Sequence, residues 1–465
     1  MADLNPPEIS VAPPARSSPP VRPISRNRMA LLFAVMLTTA AGNTAMQSVM
    51  PAIGTSLRVD DVWISLAYSW SALLWVICAP IWARKSDQRG RKAMMALGLV
   101  GFSASMGLCG MALWFGLNGW LPALWTLLLF AAARSLYGGY GSAAPPAVQA
   151  YVASRTARSE RTQALSLIAS SFGLGTVIGP ALAPLMVFPG VGLIGPFLAF
   201  TVLGALTLIA LRIFLPNDEP QFAARGAPYD APYGSGGSSR EPAADDSDGD
   251  GDCDGDSDAG GAEASPPAKL GWWEPRLRPW VIAGLLGGHA QAMVLGISGF
   301  LVLDRLNLRA TPEMATGSIA IVLMCGAIAT LLAQWGLIPR FKLGPRAAIL
   351  SGCGLAAVGT LLFGAAQELH GIALGYSIAS LGFGLFRPGF NAGASLAVSR
   401  REQGEASGVV ASATGAAYIV APAIGVWLYG HSDWLAFAFI IGLCFAVLVI
   451  GWRSLTADEV LTEDR

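Results

Sequence analysis

Long apolar runs separated by short polar stretches fill the sequence from residue 29 to residue 452. A helix that crosses hydrocarbon needs about 20 mostly apolar residues. Twelve runs have that character: 29–51, 62–82, 93–115, 121–144, 164–188 and 193–215, then 280–303, 317–339, 347–366, 371–398, 406–429 and 434–452. Backbone groups in lipid must be paired within the chain, so runs of this length fold as helices; a closed barrel would need short alternating strands instead. The expected fold is an all-α membrane protein with twelve transmembrane helices.

The polar stretches divide these helices. Residues 217–276 are rich in Gly, Pro, Ser and Asp with almost nothing to bury, which predicts a disordered acidic cytoplasmic linker between bundles at 29–216 and 277–453. Residues 1–28 read as a disordered cytoplasmic N-terminus and 454–465 as a cytoplasmic tail. Within the linker, Asp250, Asp252, Asp254 and Gly255 imitate the start of a calcium-binding loop, but the position that needs a bidentate glutamate is Gly261. Without flanking amphipathic helices a solvated linker is the better reading, with a calcium site as its alternative. The halves repeat one another: Gly139-Tyr140-Gly141 then Pro145 matches Gly382-Phe383-Gly384 then Pro388, and the next helices carry Gly179-Pro180 and Ala421-Pro422. Such a parallel repeat predicts two pseudo-symmetric six-helix bundles with a site between them near the midplane.

Composition supports a membrane class. The 465 residues are 53% hydrophobic and only 13% charged, where a soluble domain would carry about 25% charge. Lys+Arg and Asp+Glu balance at 30 each, which gives no reason to expect a nucleic-acid partner. Placement is the informative part. With the N-terminus inside, 25 of the basic residues fall on the inner face and only Arg58, Arg305 and Arg309 on the outer. The positive-inside rule then puts both termini in the cytoplasm, and no cleaved signal precedes the first run. A bacterial inner membrane fits this pattern. Five cysteines sit in apolar runs and Cys253 in the linker, with no C-x-x-C spacing, so they read as small buried side chains, with no metal or cofactor expected. The apolar runs hold no H-E-x-x-H pair, G-x-S-x-G elbow or carboxylate dyad, which argues against an enzyme.

Three motifs carry more. After the second run comes Ala83-Arg84-Lys85-Ser86-Asp87-Gln88-Arg89-Gly90-Arg91-Lys92. Gly90 permits a tight reversal, and Asp87 suits the positive end of a neighbouring helix and a pair with Arg91. In the fourth run stands Arg134-Ser135-Leu136-Tyr137-Gly138; Arg134 lies roughly 20 Å from the outer end at ~1.5 Å per residue, so it should face a cavity or be a structural cation. The fifth run carries Gly175-x-x-x-Gly179-Pro180, small residues that let helices approach, with a proline that bends the chain. Together these resemble the signatures of the major facilitator superfamily, with Ala83 and Gln88 as departures in the first. The third is similar to a motif of its twelve-helix drug:proton antiporter branch. The resemblance implies a secondary exporter of amphipathic drugs or metabolites, working by alternating access with proton exchange. Broken and remade as the halves rock, contacts of Asp87, Gly90, Arg91 and Lys92 would act as a cytoplasmic latch, with a topology-setting basic loop as the alternative reading.

One departure matters for coupling. Many related exporters have an aspartate where this chain has Asn43, and none of the twelve runs contains Asp or Glu. Asn43 and Gln47 lie on one polar stripe of the first helix. The remaining titratable candidate at depth is His289, roughly 14 Å from the inner end of its helix on the same rise, which is either the proton carrier or a hydrogen-bonded core histidine. Arg387, with Asn391 one turn on, either meets an anionic substrate or snorkels to the surface. Tyr68, Trp75, Tyr137 and Tyr418 are candidate cavity walls. The expected partners are a small-molecule substrate, protons and the lipid bilayer, with the protein a monomer. The alternative is a transporter of small organic anions that uses Arg134 and Arg387 and is not coupled through a carboxylate.

Overall fold

The computed structural model describes residues 24–156, 158–216, 273–398 and 403–458. The expected N-terminal tail up to residue 23, most of the linker with its Asp250 loop, and the last seven residues lie outside the described residues. Among the described residues there are fourteen α-helical segments and no strand. Eleven helical stretches are long and apolar enough to cross a membrane. In the first half these include α1 (Arg26–Ser56), α2 (Asp61–Arg89), α3 (Arg91–Leu117), α6 (Arg158–Leu182) and α7 (Gly195–Phe214).

The fourth crossing departs from the expected continuous helix. It consists of α4 (Ala123–Gly139), a 3-10 turn at Gly141–Ala143 and α5 (Ala144–Arg155). The consecutive Pro145 and Pro146 explain the break: each lacks an N–H, and each ring crowds the carbonyl four residues back, at Gly141 and Ser142. The matching stretch of the second half has the single Pro388, and α12 (Leu369–Leu396) runs through it unbroken. A related distortion splits the eighth crossing. There α9 (Pro312–Leu331) passes through a π-helical turn at Leu332–Leu337 into α10 (Ile338–Phe341), just ahead of Pro339, whose ring displaces the carbonyl of Trp335.

The second half is completed by α8 (Arg278–Arg305), α11 (Pro345–Ala365), α13 (Gln403–His431) and α14 (Asp433–Ser454). The bundles meet along α2 against α13 and α6 against α9, two contacts that the internal repeat exchanges with one another. Small residues set the distance: a methyl on Gly415 would meet Val76, one on Gly173 would meet Leu331, and one on Gly299 would meet Pro51.

Candidate functional site between the bundles

Two cavities lie on the contact between the halves, and both are walled by Gln47, Leu295 and Leu323. The first, of about 100 Å³, has Thr44, Gln47, Thr176 and Pro180 on one side and Gln291, Thr330, Tyr376, Ser380 and Phe383 on the other. The second, of about 70 Å³, is lined by Ser65 and Tyr68 from α2 and by Ser298 and Tyr418 from α8 and α13, with Pro51 at its edge. Among the described lining residues none is charged. Drug-sized sites span about 300–1,000 Å³, so a substrate of that size requires the helices to part.

The first wall depends on close packing of α6 against α1. A methyl on Gly175 would approach the Ala40 side chain at 2.6 Å, and one on Gly179 would collide with Ala41 O and Thr44 Oγ1. That closeness lets Thr44 Oγ1 donate to Gly175 O at 3.2 Å and brings Pro180 to the cavity.

Arg134 lies one layer behind. Its guanidinium is 5.6 Å from the centre of the Tyr68 ring and 4.5 Å from that of Tyr137, and its Nη2 donates to Asn43 Oδ1 at 2.7 Å. Arg134 and Asn43 are each only 1% exposed, and Arg134 Nε and Nη1 have no partner among the described residues. An intramembrane charge costs at least ~2.5 kcal/mol. Two ring faces at about 0.5–2 kcal/mol each and one charge-assisted bond at about 1.5–3 kcal/mol are enough to hold it. Trp75 packs against Tyr137 with ring centres 5.1 Å apart and planes tilted by 45°; both are buried in the first bundle, apart from the lining of either cavity. Of the expected wall aromatics, Tyr68 and Tyr418 line one of these two cavities, whereas Trp75 and Tyr137 line neither.

His289 is half-buried, and its Nδ1 sits 2.7 Å from Leu285 O. This contact makes Nδ1 the protonated nitrogen of the neutral ring and leaves Nε2 to accept a proton. Its neighbour one turn on, Ala292, lines the second cavity, but His289 itself lines neither. Arg387 is buried in α12, with Asn391 half-buried one turn further; both are also absent from the cavity walls.

The expected loop 83–92 is almost entirely helix. α2 continues to Arg89, Gly90 alone makes the reversal at φ +88°, and α3 begins at Arg91. That φ suits glycine, which has no Cβ to clash. Arg91 is buried and its Nη1 donates to Ser154 Oγ of α5. Lys92 Nζ donates to Arg212 O at 3.0 Å and to Leu215 O, closing the carboxyl end of α7. The Asp87 side chain lies outside the described ones.

A cluster that the sequence reading missed joins the halves at the end assigned to the outside. Arg309, in the turn between α8 and α9, grips Asp61 of α2 with Nη1 at 3.1 Å and Nη2 at 2.7 Å. The same guanidinium reaches Asp304 at 2.5 and 3.1 Å, and Tyr429 donates its hydroxyl to Asp304 at 3.0 Å. Hydrogen bonds to Asp304 and then to Asp61 raise the Arg309 pKa above its ordinary value, so this group stays charged at any physiological pH. Cavity residues were also missed, notably Thr44, Gln291, Thr330, Tyr376 and Ser380. Their signal was polar residues within apolar runs, such as Tyr376 and Ser380 spaced one turn apart.

The sequence matches the family model of the Major Facilitator Superfamily over residues 32–367 and 340–464. The chain belongs to that superfamily. Among curated members, it is 31% identical over 176 residues to a "Multi-drug resistance efflux pump PmrA homolog" of Lactococcus lactis, covering 37% of this chain and 39% of the relative. It is 26% identical over 210 residues to the class C tetracycline resistance protein of Escherichia coli, covering 44% and 49%. The chain thus spans less than half the length of these curated relatives. The crystal structure of the human organic anion transporter MFSD10 (TETRAN) superposes with a TM-score of 0.60 at 18% identity, covering 93% of this chain and all of that one. At that identity the superposition speaks for the fold, two bundles of a multi-pass membrane protein of the superfamily.

Proposed function

We propose that this superfamily member exports amphipathic drugs or metabolites by alternating access between its bundles, in exchange for protons. The observation that carries this reading is the pair of cavities at the contact between the halves. They combine apolar and aromatic walls with neutral hydrogen-bonding groups centred on Gln47, the mixture that accepts lipophilic molecules of varied shape. Relatives named as efflux pumps support it. The protein sits in an inner membrane as a monomer with both termini in the cytoplasm, and closing one end while opening the other moves the substrate across. Asp87, Gly90, Arg91 and Lys92 form the inner latch, and His289 Nε2 is the proton site among the deep residues. The test uses sealed proteoliposomes with an interior pH dye and a panel of neutral, cationic and anionic amphiphiles. Substrate-triggered proton movement in the wild type that disappears in His289→Ala is expected. Substrate flux without proton movement would sink the antiport.

A second reading, transport of small organic anions, is favoured by one observation. Arg134 is a buried cation whose described hydrogen-bond partner is the neutral Asn43 rather than a carboxylate. MFSD10, similar in fold, is named an organic anion transporter. Competition by carboxylates that is lost in Arg134→Ala and Arg387→Ala separates this reading from the first.

A further inference from the structure

From the charges around the two cavities we infer that the transporter selects uncharged amphiphiles and rejects lipophilic cations. The inference rests on the exporter reading and narrows its substrate class. Three observations carry it.

The first is that no described residue lining either cavity is charged. Hydrogen bonding there comes from neutral amides and hydroxyls, Gln47, Gln291, Thr330 and Ser380 among them, which can each pair with a neutral donor or acceptor but cannot neutralise a positive charge. The second is that the apolar runs contain no Asp or Glu; the acids of the described membrane-crossing helices lie in their end turns, as with Asp61, Asp304 and Glu313. A cation entering the cavities would shed water without gaining a counter-charge, the costliest way to bury an ion. The third is the sign of a deep fixed charge beside the second cavity. Arg134 stands behind Tyr68, whose side chain walls the second cavity, with its guanidinium 5.6 Å from the ring centre. In a medium of low dielectric that positive charge repels a second cation across the ring.

The aromatic walls are the main counter-argument, since ring faces attract quaternary ammonium groups. The Tyr68 ring already holds the Arg134 guanidinium, so its quadrupole is partly spent. Phe383, Tyr376 and Tyr418 also line the cavities, but no described lining residue supplies the acid that usually accompanies an aromatic cation site.

The test compares binding of two aryl amides that differ only in a terminal trimethylammonium or tert-butyl group, so that shape is constant and charge is the variable. Tryptophan fluorescence of the purified full chain in nanodiscs reads binding, and flux into vesicles is measured beside it. The neutral amide is expected to bind at least tenfold more tightly. Gln47→Glu, which puts a carboxylate on both cavities, should raise the cation-to-neutral affinity ratio at least tenfold. Arg134→Gln should move the ratio the same way by removing the repelling charge. Equal binding of the two amides, tighter binding of the cation, or binding of neither overturns the inference. If the neutral amide binds preferentially yet never crosses the membrane, the selectivity stands and the exporter reading fails.

Discussion

Replacing Arg309 by alanine should open the end of the transporter that the charge count places outside. Arg309 binds two carboxylates, but only Asp61 belongs to the other bundle; Asp304 sits at the end of α8, in the same half as Arg309. The force across the interface is therefore the two-pronged contact with Asp61. Isolated surface pairs contribute about 0.2–1 kcal/mol. Here Asp61 is 18% exposed and Arg309 39% exposed, and the geometry is bidentate, so a value near the top of that range, about 1 kcal/mol, is appropriate. Asp61→Asn should then shift the closed-to-open ratio roughly fivefold. Arg309→Ala should do more, because it also leaves Asp61 and Asp304 facing each other without the cation between them. A total near 2 kcal/mol, or roughly 30-fold, follows from adding a repulsion of similar size. Arg309 itself does not titrate in the working range: its raised pKa means its contribution is complete at neutral pH and is lost only at strongly alkaline pH. Acid weakens the latch through Asp61 instead: burial raises its pKa above the ordinary carboxylate value, so the contact is complete at neutral pH and is lost as pH falls through that raised value. Spin labels on the exposed Ser56 and Ala310, one in each half, read the separation by pulsed electron resonance. The long-distance population should grow in the order wild type, Asp61→Asn, Arg309→Ala, and the differences should shrink in high salt. An unchanged distance distribution in Arg309→Ala, or a larger shift in Asp61→Asn, would refute the argument.

Two further outcomes follow from packing. Gly179→Val should lower the melting temperature and abolish transport, since its side chain would enter the space of Ala41 O and Thr44 Oγ1; overpacking costs typically 1–3 kcal/mol, and a thermal-shift assay in detergent reads it. Arg134→Lys should behave nearly as badly as Arg134→Met in the same assay, because an ammonium cannot lie flat against Tyr68 and Tyr137 while donating to Asn43; full rescue by lysine would show that charge alone is what the site needs.

The fold was legible in the sequence because lipid imposes a length and an apolar composition on every crossing, and twelve runs met both. What escaped were distortions set by single residues. The fourth run reads as continuous by hydropathy, yet Pro145 and Pro146 together leave the chain no helical path through Gly141. The loop 83–92 reads as polar and therefore as a connection, whereas long Arg and Lys side chains let helix continue into the headgroup layer until Gly90 ends it. The candidate site was legible only in part. Gln47, Tyr68 and Tyr418 were singled out as polar or aromatic residues in apolar runs, and they do reach the cavities. Trp75 and Tyr137 met the same criterion and are buried within one bundle, since hydropathy does not say which face of a helix meets the other half. The outer cluster was invisible for another reason: Asp61 and Arg309 are 248 residues apart, and nothing local in either sequence announces the other.

The pairing of Arg134 with Asn43 changes where protons can act. An aspartate at that position would titrate against the arginine, and its protonation would alter the charge at the centre of the bundle. Asparagine cannot, because its amide does not titrate, so the contact at 2.7 Å has no proton of its own to exchange. Any coupling to protons must then come from elsewhere. Two kinds of group among the described residues are candidates: His289, tied through Nδ1 to its own helix, and the carboxylates of the outer cluster. They differ in what they sense. On the proposed antiport reading, His289 would have to meet each compartment in turn as the bundles rock, which is what stoichiometric exchange requires. Carboxylates at the rim meet only one compartment, so they can bias the opening of that end without carrying a proton through. The balance of charge favours this second role for Asp61 and Asp304. One guanidinium serves both, so a proton taken up by Asp61 frees the opposite bundle while Arg309 remains neutralised by Asp304.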